Sequence, residues 1–456
     1  MTSETLSGTT APIINPFKGK SLQNLILKFS APAIIGIIVN ALYNVADRAF
    51  IGHSIGPDGI SAITISFPMS LFIMACSIMV GVGGSVLFSI NLGKRNTAKA
   101  EVVLSHSLSL VFLISSIIAL TWSLTLDRTL VFLGASPEVL PYAKAYMHII
   151  LLGAPIQSIA MTMNNFLRAI GRPKTAMSTM IIGAIINCIL GPLFIFVFNW
   201  GMEGAAWAVV ISQSVSATWV MTHFIGKKKK YSITLKNLKL RWDITKETIT
   251  IGSSQLFVNS AVTLVNIVIN YSLVNHGGDI ALAAMGVVTS VNTLLIMPVL
   301  GISQGVQPIV AYYYGAKYFK RMIQIVKLSM FWATAITTFA FIVIMIFAPQ
   351  MVKVFNNESA ELIKLASFAL RVFNAMVPLV GFQVMVGMML QATAQPKKAI
   401  LLTLSRQVLI LIPLILILPR FLGLNGIIVA SPISDIMAFC LAAYMFRREL
   451  KKFSQA

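Results

Sequence analysis

Long apolar stretches are the feature that most constrains how this chain can fold. About twelve runs of 18 or more residues are long and apolar enough to cross a hydrocarbon core as α-helices. They are centred near Val39, Phe72, Leu113, Gly153, Ile186, Val215, Leu264, Met297, Thr337, Val380, Ile410 and Ile436. Only 11% of the 456 residues are charged, whereas a soluble domain carries about a quarter. The sequence therefore predicts an all-α polytopic membrane protein with twelve transmembrane helices.

The charged residues predict the orientation of the chain in the membrane. The chain has a net charge of +21, and its basic residues cluster in alternate loops. These loops hold Lys18, Lys20, Lys94, Arg95, Lys99, Arg168, Arg172, Lys174, Lys317, Lys320, Arg321, Lys397, Lys398, Arg447, Arg448, Lys451 and Lys452. The intervening loops hold acids such as Asp58 and Asp279. This asymmetry predicts cytoplasmic termini and accounts for the positive charge without a nucleic-acid partner.

An internal repeat divides the chain into two halves. Gly83 and Gly93 recur as Gly305 and Gly315, and the turn 171–174 resembles 394–397, at an offset of about 222 residues. We therefore predict two six-helix bundles related by a pseudo-two-fold axis along the membrane normal, with a cavity between them. The predicted divisions are an N-terminal tail (1–25), an N-lobe (26–225), a basic linker (226–246), a C-lobe (247–446) and a C-terminal tail (447–456).

A polar stripe in the first predicted helix suggests an ion-coupling site. Asn40, Tyr43, Asn44 and Asp47 are spaced so that all four lie on one helical face. Asp47 on such a face would bind and release a proton or a small cation, because acids inside the membrane are costly and are usually functional or paired. The alternative is a structural carboxylate paired with the neighbouring Arg48.

The last predicted helix carries a second intramembrane acid, Asp435. Arg406 and Arg371 fall at comparable depths in the two preceding helices, judged by the rise per residue. A buried ion pair and a role in substrate or proton handling are both consistent with this arrangement. In the repeat, Asp435 aligns with Gln213, so the two halves place their acids differently.

Other residues are candidates for the substrate cavity or argue against other chemistries. Met385 and Met389 belong to a methionine-rich segment that suits a cavity for varied apolar cations, although apolar packing is the alternative. The histidines and cysteines lack metal-ligand spacing, and no Walker A motif indicates an ATPase, so we expect no cofactor and no ATPase subunit. A membrane-embedded enzyme would need a reacting constellation that this sequence does not display.

Several segments together resemble the MATE (multidrug and toxic compound extrusion) family, most closely its bacterial MepA-like branch. The matching segments are Asn44-Val45-Ala46-Asp47, Gly81 to Gly93, Arg168-Ala169-Ile170-Gly171-Arg172-Pro173, Asn187 to Phe194, Gly204-Ala205-Ala206 with Ser212-Gln213, Gln307-Pro308 to Ala316, and Pro432-Ile433-Ser434-Asp435. The resemblance implies export of amphipathic, often cationic compounds from a bacterial inner membrane, by alternating access coupled to proton or sodium entry. A flippase for a lipid-linked precursor is the alternative among related folds.

The resemblance also assigns roles to particular residues. Asp47 matches the coupling acid of the family, Tyr43 and Asn187 match its polar neighbours, and Asn164 is matched by its position before Arg168. With Asn40, Gln213, Met385 and Met389, Asn164 completes the residues predicted to line the substrate cavity. Many relatives have an acid at the position of Gly191 and a threonine at that of Val209. Because hard cations need several oxygen ligands, these departures favour proton over sodium coupling.

Overall fold

The computed structural model describes residues 21–226, 229–355 and 359–455, and within these ranges the chain is helical with no β-strand. The α-helices are α1 (Leu22–Ser54), α2 (Pro57–Gly93), α3 (Thr97–Leu124), α4 (Leu126–Phe132), α5 (Leu140–Ala169), α6 (Pro173–Pro192), α7 (Gly201–Met221), α8 (Trp242–Gly315), α9 (Phe319–Phe355), α10 (Ala360–Phe373), α11 (Val377–Ala392), α12 (Pro396–Leu404), α13 (Ile412–Ile417), α14 (Pro419–Leu422) and α15 (Leu424–Gln455). π-helical turns at Leu193–Val197 and Ser405–Leu411 extend α6 and α12.

Twelve membrane spans follow from these helices once two interruptions are considered. In the described ranges, ten helices are long and apolar enough to span, and α10 with α11 adds an eleventh span bent by 48°. At 74 residues, α8 would be about 110 Å long if it were straight, which far exceeds a bilayer. Its backbone breaks at Gly278 (φ 61°, ψ −157°), so α8 is two spans. The prediction of twelve helices in an all-α fold is confirmed.

The backbone shows the internal repeat more clearly than the side chains do. Left-handed residues occur in pairs at equivalent turns of the two halves. The pairs are Gly56 and Gly278, Arg95 and Lys317, Gly171 and Ala394, and Gly201 and Gly423. The residues preceding α6 and α12 also share their conformation, with Arg172 at φ −113°, ψ 59° and Gln395 at φ −113°, ψ 60°. The halves, α1–α7 (the N-lobe) and α8–α15 (the C-lobe), are therefore two copies of one helical scaffold.

The hydrophobic cores show where the lobes meet. We call the end at which α1 begins and α15 ends the terminal face, and the other end the opposite face. One core joins both lobes near the terminal face and includes Phe29, Val86 and Val306. Near the opposite face each lobe has its own core, with Ile51 in the N-lobe and Val288 in the C-lobe. The lobes are thus packed together at the terminal face and form separate bodies at the opposite face.

Glycines permit the close packing of the lobes. A Cβ added to Gly252 of α8 would overlap the carbonyl oxygen of Met79 in α2, and one added to Gly83 would overlap that of Thr248. At the equivalent crossing of the repeat, a Cβ on Gly305 would lie 2.7 Å from the Phe29 oxygen. We call the first contact, of Gly83 with Gly252 and their neighbours, the glycine seam. It closes the terminal face by backbone-to-backbone contact, as small residues do between membrane helices.

The linker between the lobes packs against the terminal face. Tyr231 lies edge-on to Phe88 with ring centroids 5.5 Å apart, and burial raises the pKa of its hydroxyl to about 12. The Thr234 amide donates to Ser105 Oγ over 3.4 Å. Helix α8 begins at Trp242, inside the predicted linker of 226–246, and α15 continues through the predicted tail to Gln455. Lys227 and Lys228 lie outside the described residues, as do residues 1–20 of the predicted N-terminal tail.

Candidate functional site

The first candidate site lies in the N-lobe, in the half of α1 that approaches the opposite face. Asp47 is buried with 8% of its surface exposed, while Val45, two residues before it, is 68% exposed. One turn earlier, the Asn44 side-chain amide donates to the Asn40 carbonyl oxygen over 2.7 Å and to its side-chain oxygen over 3.1 Å. The predicted stripe therefore consists of two parts: the buried carboxyl group of Asp47, and the side chains of Asn40 and Asn44, which are hydrogen-bonded to each other.

Side chains from three helices surround Asp47. The Asn187 amide from α6 faces the carboxyl group, and Tyr43 of α1 and Tyr146 of α5 lie within electrostatic range of it. Tyr146 is buried within the apolar core of the N-lobe. Sequence reasoning missed Tyr146, because it stands in a segment whose spacing carries no polar pattern. Its place near Asp47 follows from the position of α5 within the lobe.

Two oxygen atoms at this site have no hydrogen-bond donor. Asp47 Oδ1 and Asn187 Oδ1 are both buried and unpartnered within the part of the chain that the structure describes. Unsatisfied buried oxygens are costly, so paired examples mark positions where a proton or a cation would be favourable. The structural alternative for Asp47 was an ion pair with Arg48. Instead, the Arg48 guanidinium lies over the Phe67 ring, 5.7 Å from its centroid, and forms no ion pair with Asp47.

Two N-lobe positions that the family resemblance links to cation binding, Gly191 and Val209, carry no side-chain oxygen. Gly191 is buried, and a Cβ added there would have as its nearest neighbour Phe50 Cδ2 at 3.6 Å. Val209 contributes a branched alkyl side chain packed against the N-lobe core. The space for a larger residue exists at Gly191, but this chain supplies no oxygen from it.

The second candidate site, in the C-lobe, is an ion pair. Arg406 Nε donates to Asp435 Oδ1 over 2.7 Å, and the side chains are 30% and 3% exposed. Ser434 Oγ donates to the Arg406 carbonyl oxygen over 2.7 Å, and Gln383 Nε2 donates to that of Asp435 over 2.8 Å. Arg406 lies in the π-helical turn Ser405–Leu411, which changes the direction in which its side chain leaves the helix. The ion pair, one of the two alternatives for Asp435, is present in the structure, and a role in substrate or proton handling stays a prediction.

Arg371 does not belong to this pair, and the expectation that it is a buried C-lobe charge is wrong. It is an exposed residue at the end of α10 and lies in a groove with Lys353 of α9 and Lys364. Counting residues gave a comparable depth for Arg371 and Arg406. Depth does not determine which side of a helix a residue occupies, and Arg371 lies on the side of α10 that faces the groove with Lys353.

Three residues predicted to line the cavity have other surroundings. Met385 and Met389 are completely buried in the core that joins the lobes at the terminal face, so the expectation that they line a cavity is wrong. Asn164 donates to the Ala176 carbonyl oxygen over 2.8 Å and accepts from Arg168 over 2.7 Å. Its polar atoms are thus engaged within the N-lobe near the terminal face, away from Asp47. Gln213 is half-buried in α7, which leaves its predicted role as a prediction.

Arg168 also connects the lobes. Its Nη1 donates to Gln304 Oε1 in α8 over 2.9 Å, while Nη2 is held by Asn164. Nearby, His106 Nε2 and Thr245 Oγ1 are 2.9 Å apart across the same interface. These polar contacts lie beside the glycine seam. These directional hydrogen bonds supplement the close backbone packing by which the glycine seam holds the two lobes together.

Comparison with known proteins places this architecture among transporters. The family model MatE matches residues 32–193 and 255–417, one match in each lobe. The chain is 26% identical to the multidrug export protein MepA of Staphylococcus saprophyticus and 27% identical to that of Staphylococcus aureus strain N315. Each alignment covers 95% of this chain and 96% of the relative.

Solved structures show the same fold. One is the outward-facing conformation of a multidrug resistance MATE family transporter of the MOP superfamily, with a TM-score of 0.90, 25% identity, and coverage of 97% of this chain and 99% of the other. A MOP superfamily transporter from Pyrococcus furiosus, described as having a binding pocket of reverse polarity, gives a TM-score of 0.90, 26% identity, and coverage of 98% and 100%. Both likenesses extend over the two lobes rather than over one.

Proposed function

This chain belongs to the MatE family, and from that premise we propose that it is a cation-coupled antiporter that exports amphipathic, often cationic compounds by alternating access. Relatives that align over 95% of the chain are named multidrug export proteins, which supports the substrate class. The separate lobe cores at the opposite face support a cleft between the lobes that opens there. The chain is a multi-pass membrane protein, and we propose the inner membrane of a bacterium as its location.

We propose that both termini are cytoplasmic, so that the closed terminal face is the cytoplasmic one. The loops at this face carry most of the basic residues, including Lys94, Arg172, Lys317 and Lys397, which supports this orientation. The cleft then opens toward the outside, in the arrangement that releases substrate and admits the coupling ion. Proton or cation binding would favour one lobe arrangement and substrate the other, as linkage between two sites requires.

The observation that carries the proposal is the buried carboxyl group of Asp47 beside Asn187, with an unpartnered oxygen on each. We assign Asp47 as the coupling carboxylate, with Tyr43, Asn44 and Asn187 as its polar neighbours. We favour the proton as the coupling ion, because Gly191 and Val209 withhold two of the oxygens that sodium would need. When protonated, the Asp47 carboxyl group has an O–H that can donate a hydrogen bond to a neighbouring oxygen. When ionised, it carries a negative charge that would attract a cationic substrate.

The test is efflux of a fluorescent lipophilic cation from sealed vesicles that contain the purified protein. A pH gradient and a sodium gradient are imposed separately on wild type and on Asp47→Asn, which keeps the shape of the side chain but cannot ionise. We expect transport under the pH gradient and its loss in Asp47→Asn. Asp127→Asn is the matched control, because Asp127 is an exposed acid paired with Lys144 on the opposite face.

Two results would contradict this assignment. Transport driven by sodium alone would show that the proton is not the coupling ion. Unchanged transport by Asp47→Asn would show that the carboxyl group does not carry the ion. Absence of transport under both gradients, with correctly folded protein, would favour the flippase for a lipid-linked precursor.

Gly191→Asp tests the ligand argument in the opposite direction. The nearest atom to an added Cβ is Phe50 Cδ2 at 3.6 Å, so the new side chain has room. It would place a second carboxylate near Asp47 and supply the oxygens that a sodium ion requires. We expect the variant to gain sodium-driven transport in the same vesicle assay, whereas Gly191→Asn, which adds a neutral side chain of similar size, should gain much less.

A further inference from the structure

A groove between α9 and α10 carries positive charge that the transport mechanism does not use. It encloses about 690 Å³ near the opposite face of the C-lobe. Lys353 lies on its α9 wall, and Lys364 and Arg371 lie on its α10 wall. No acid lines the groove among the described residues, and none of these three cations forms an ion pair there. Three cations around one groove, without an ion pair in the part of the chain that the structure describes, favour an anionic ligand.

The α10 wall presents its polar groups on a single face. Lys364, Phe368 and Arg371 are spaced four and three residues apart, which places them on one side of the helix. Ser367 also lines the groove, is 6% exposed, and has no hydrogen-bond partner for its Oγ among the described residues. The groove thus offers a buried hydroxyl between two flexible cations, a set of donors that suits the oxygens of a phosphate.

The surroundings of the groove are apolar and suit the acyl chains of a lipid. Phe368 within it is 45% exposed, and Phe347 and Ile346 of α9 are similarly exposed. A second groove of about 630 Å³ follows α9 toward the terminal face between Phe331 and Ile342. Exposed apolar side chains on a spanning helix contact acyl chains. A ligand that joins a phosphate to long alkyl chains would use both the charged and the apolar parts.

The depth of Arg371 argues for a lipid rather than a free anion. Arg371 lies eleven residues after the first residue of α10, about 17 Å along the helix. A charge at that depth is unfavourable beside hydrocarbon unless it reaches the interface or meets an opposite charge. A phosphodiester drawn into the groove toward Arg371, with its alkyl chains lying along α9, would bring the opposite charge to that position.

We propose that this groove is a binding site for an anionic phospholipid of the leaflet at the opposite face. Lys353, Lys364 and Arg371 bind its phosphodiester, Ser367 donates to a phosphate oxygen, and Phe368 packs against an acyl chain. The site is separate from the carboxyl group of Asp47, so the proposal does not depend on the coupling ion. In the proposed orientation the lipid belongs to the outer leaflet.

The test measures lipid binding to the whole protein, purified in detergent and depleted of lipid. Native mass spectrometry counts bound phosphatidylglycerol, phosphatidylcholine with the same acyl chains, and inorganic phosphate in separate titrations. Because each cation contributes about fivefold to binding of an anionic headgroup, the triple variant Lys353→Gln, Lys364→Gln, Arg371→Gln should bind phosphatidylglycerol about 100-fold more weakly.

The matched control removes three positive charges from the same face outside the groove. Arg128, Lys144 and Arg420 are exposed residues near the ends of α4, α5 and α14 at the opposite face. The variant with all three changed to Gln should bind phosphatidylglycerol as wild type does. Phe368→Ala, which keeps all charges, should weaken lipid binding without affecting that of inorganic phosphate.

Several outcomes would overturn the proposal. One is equal phosphatidylglycerol binding by wild type and the groove variant, and another is an equal loss in the control variant, which would reflect net charge alone. If phosphatidylcholine bound as tightly as phosphatidylglycerol, the site would not distinguish an anionic headgroup from a zwitterionic one. Inorganic phosphate that binds as tightly as the lipid would identify an anion site without a lipid. A groove variant that fails to fold is replaced by the three single variants, each expected to bind about fivefold more weakly.

Discussion

Gly252→Ala is expected to open the terminal face. Gly252 of α8 and Gly83 of α2 meet at the glycine seam, where a Cβ on Gly252 would overlap the carbonyl oxygen of Met79. The obstacle is backbone, so no change of rotamer relieves it, and α2 and α8 must separate by more than about 1 Å to restore ordinary contact. An arrangement with the lobes apart at this face has no such requirement. The substitution therefore destabilises the closed arrangement selectively.

The size of the effect follows from the cost of overpacking. Inserting a methyl group into a well-packed contact costs about 1–3 kcal/mol. Since about 1.4 kcal/mol corresponds to a tenfold change in an equilibrium constant, the ratio of open to closed arrangements should rise by about 5- to 140-fold. The lower value applies if neighbouring contacts such as Arg168 with Gln304 yield with the helices, and the higher value if they resist.

Spin-label distances across the terminal face measure this ratio. Labels at Lys174→Cys and Lys397→Cys, exposed equivalents in the two lobes, report lobe separation once the three native cysteines are replaced. We expect Gly252→Ala to transfer population to a longer distance. Gly286→Ala is the matched control, because it adds the same methyl group to α8 where no atom lies within 4 Å of the new Cβ. If folded Gly252→Ala and Gly286→Ala gave the same distances, the seam would not control closure.

The other predictions concern hydrogen-bonded pairs. Changing Arg406→Gln and Asp435→Asn together should cost less stability than the sum of the two single changes, with a coupling energy of about 1–3 kcal/mol. Thermal unfolding in detergent measures this coupling. Additive effects would show that the ion pair does not stabilise the C-lobe. Asn164→Ala should lower stability by about 1–3 kcal/mol, because it removes the hydrogen bond to the buried Arg168 Nη2 and the one to the Ala176 carbonyl oxygen. The same variant should keep the ion selectivity of wild type in the vesicle assay, and an altered selectivity would return Asn164 to the coupling site.

The fold was largely predictable because membrane insertion imposes simple rules on the sequence. Length and hydropathy predict the spans, and the alternation of basic loops predicts their direction. The division of α8 into two spans is predicted from hydropathy, with centres near Leu264 and Met297, whereas the pairing of Gly278 with Gly56 emerges only from the backbone. The exact ends were less predictable. Helix α15 continues to Gln455 because a charged helical turn can extend beyond the membrane, where hydropathy no longer marks it.

The site residues were predictable only where one helix carried the signal. The stripe from Asn40 to Asp47 lies on a single helix, and its polar spacing identifies Asp47 as a candidate, although the structure buries Asp47 and leaves Asn44 exposed. Tyr146 could not be found in that way, because its relation to Asp47 depends on where the packing of the N-lobe places α5. Methionines at helical spacing are equally consistent with packing in a hydrophobic core and with lining a substrate cavity. In the structure, Met385 is completely buried in the core. Tertiary packing decides such cases.

The two lobes share a scaffold but have diverged in how they treat a buried acid. In the C-lobe, Asp435 is neutralised by Arg406 at 2.7 Å, and the backbone carbonyls of the pair accept hydrogen bonds from Gln383 and Ser434. In the N-lobe, Asp47 has no cationic partner, and one of its oxygens lacks a donor. An acid that is permanently paired resists a change of charge, whereas one without a partner can take up and release a proton at lower cost. We therefore expect coupling to act through the N-lobe, with the C-lobe pair fixing the helices against which it moves.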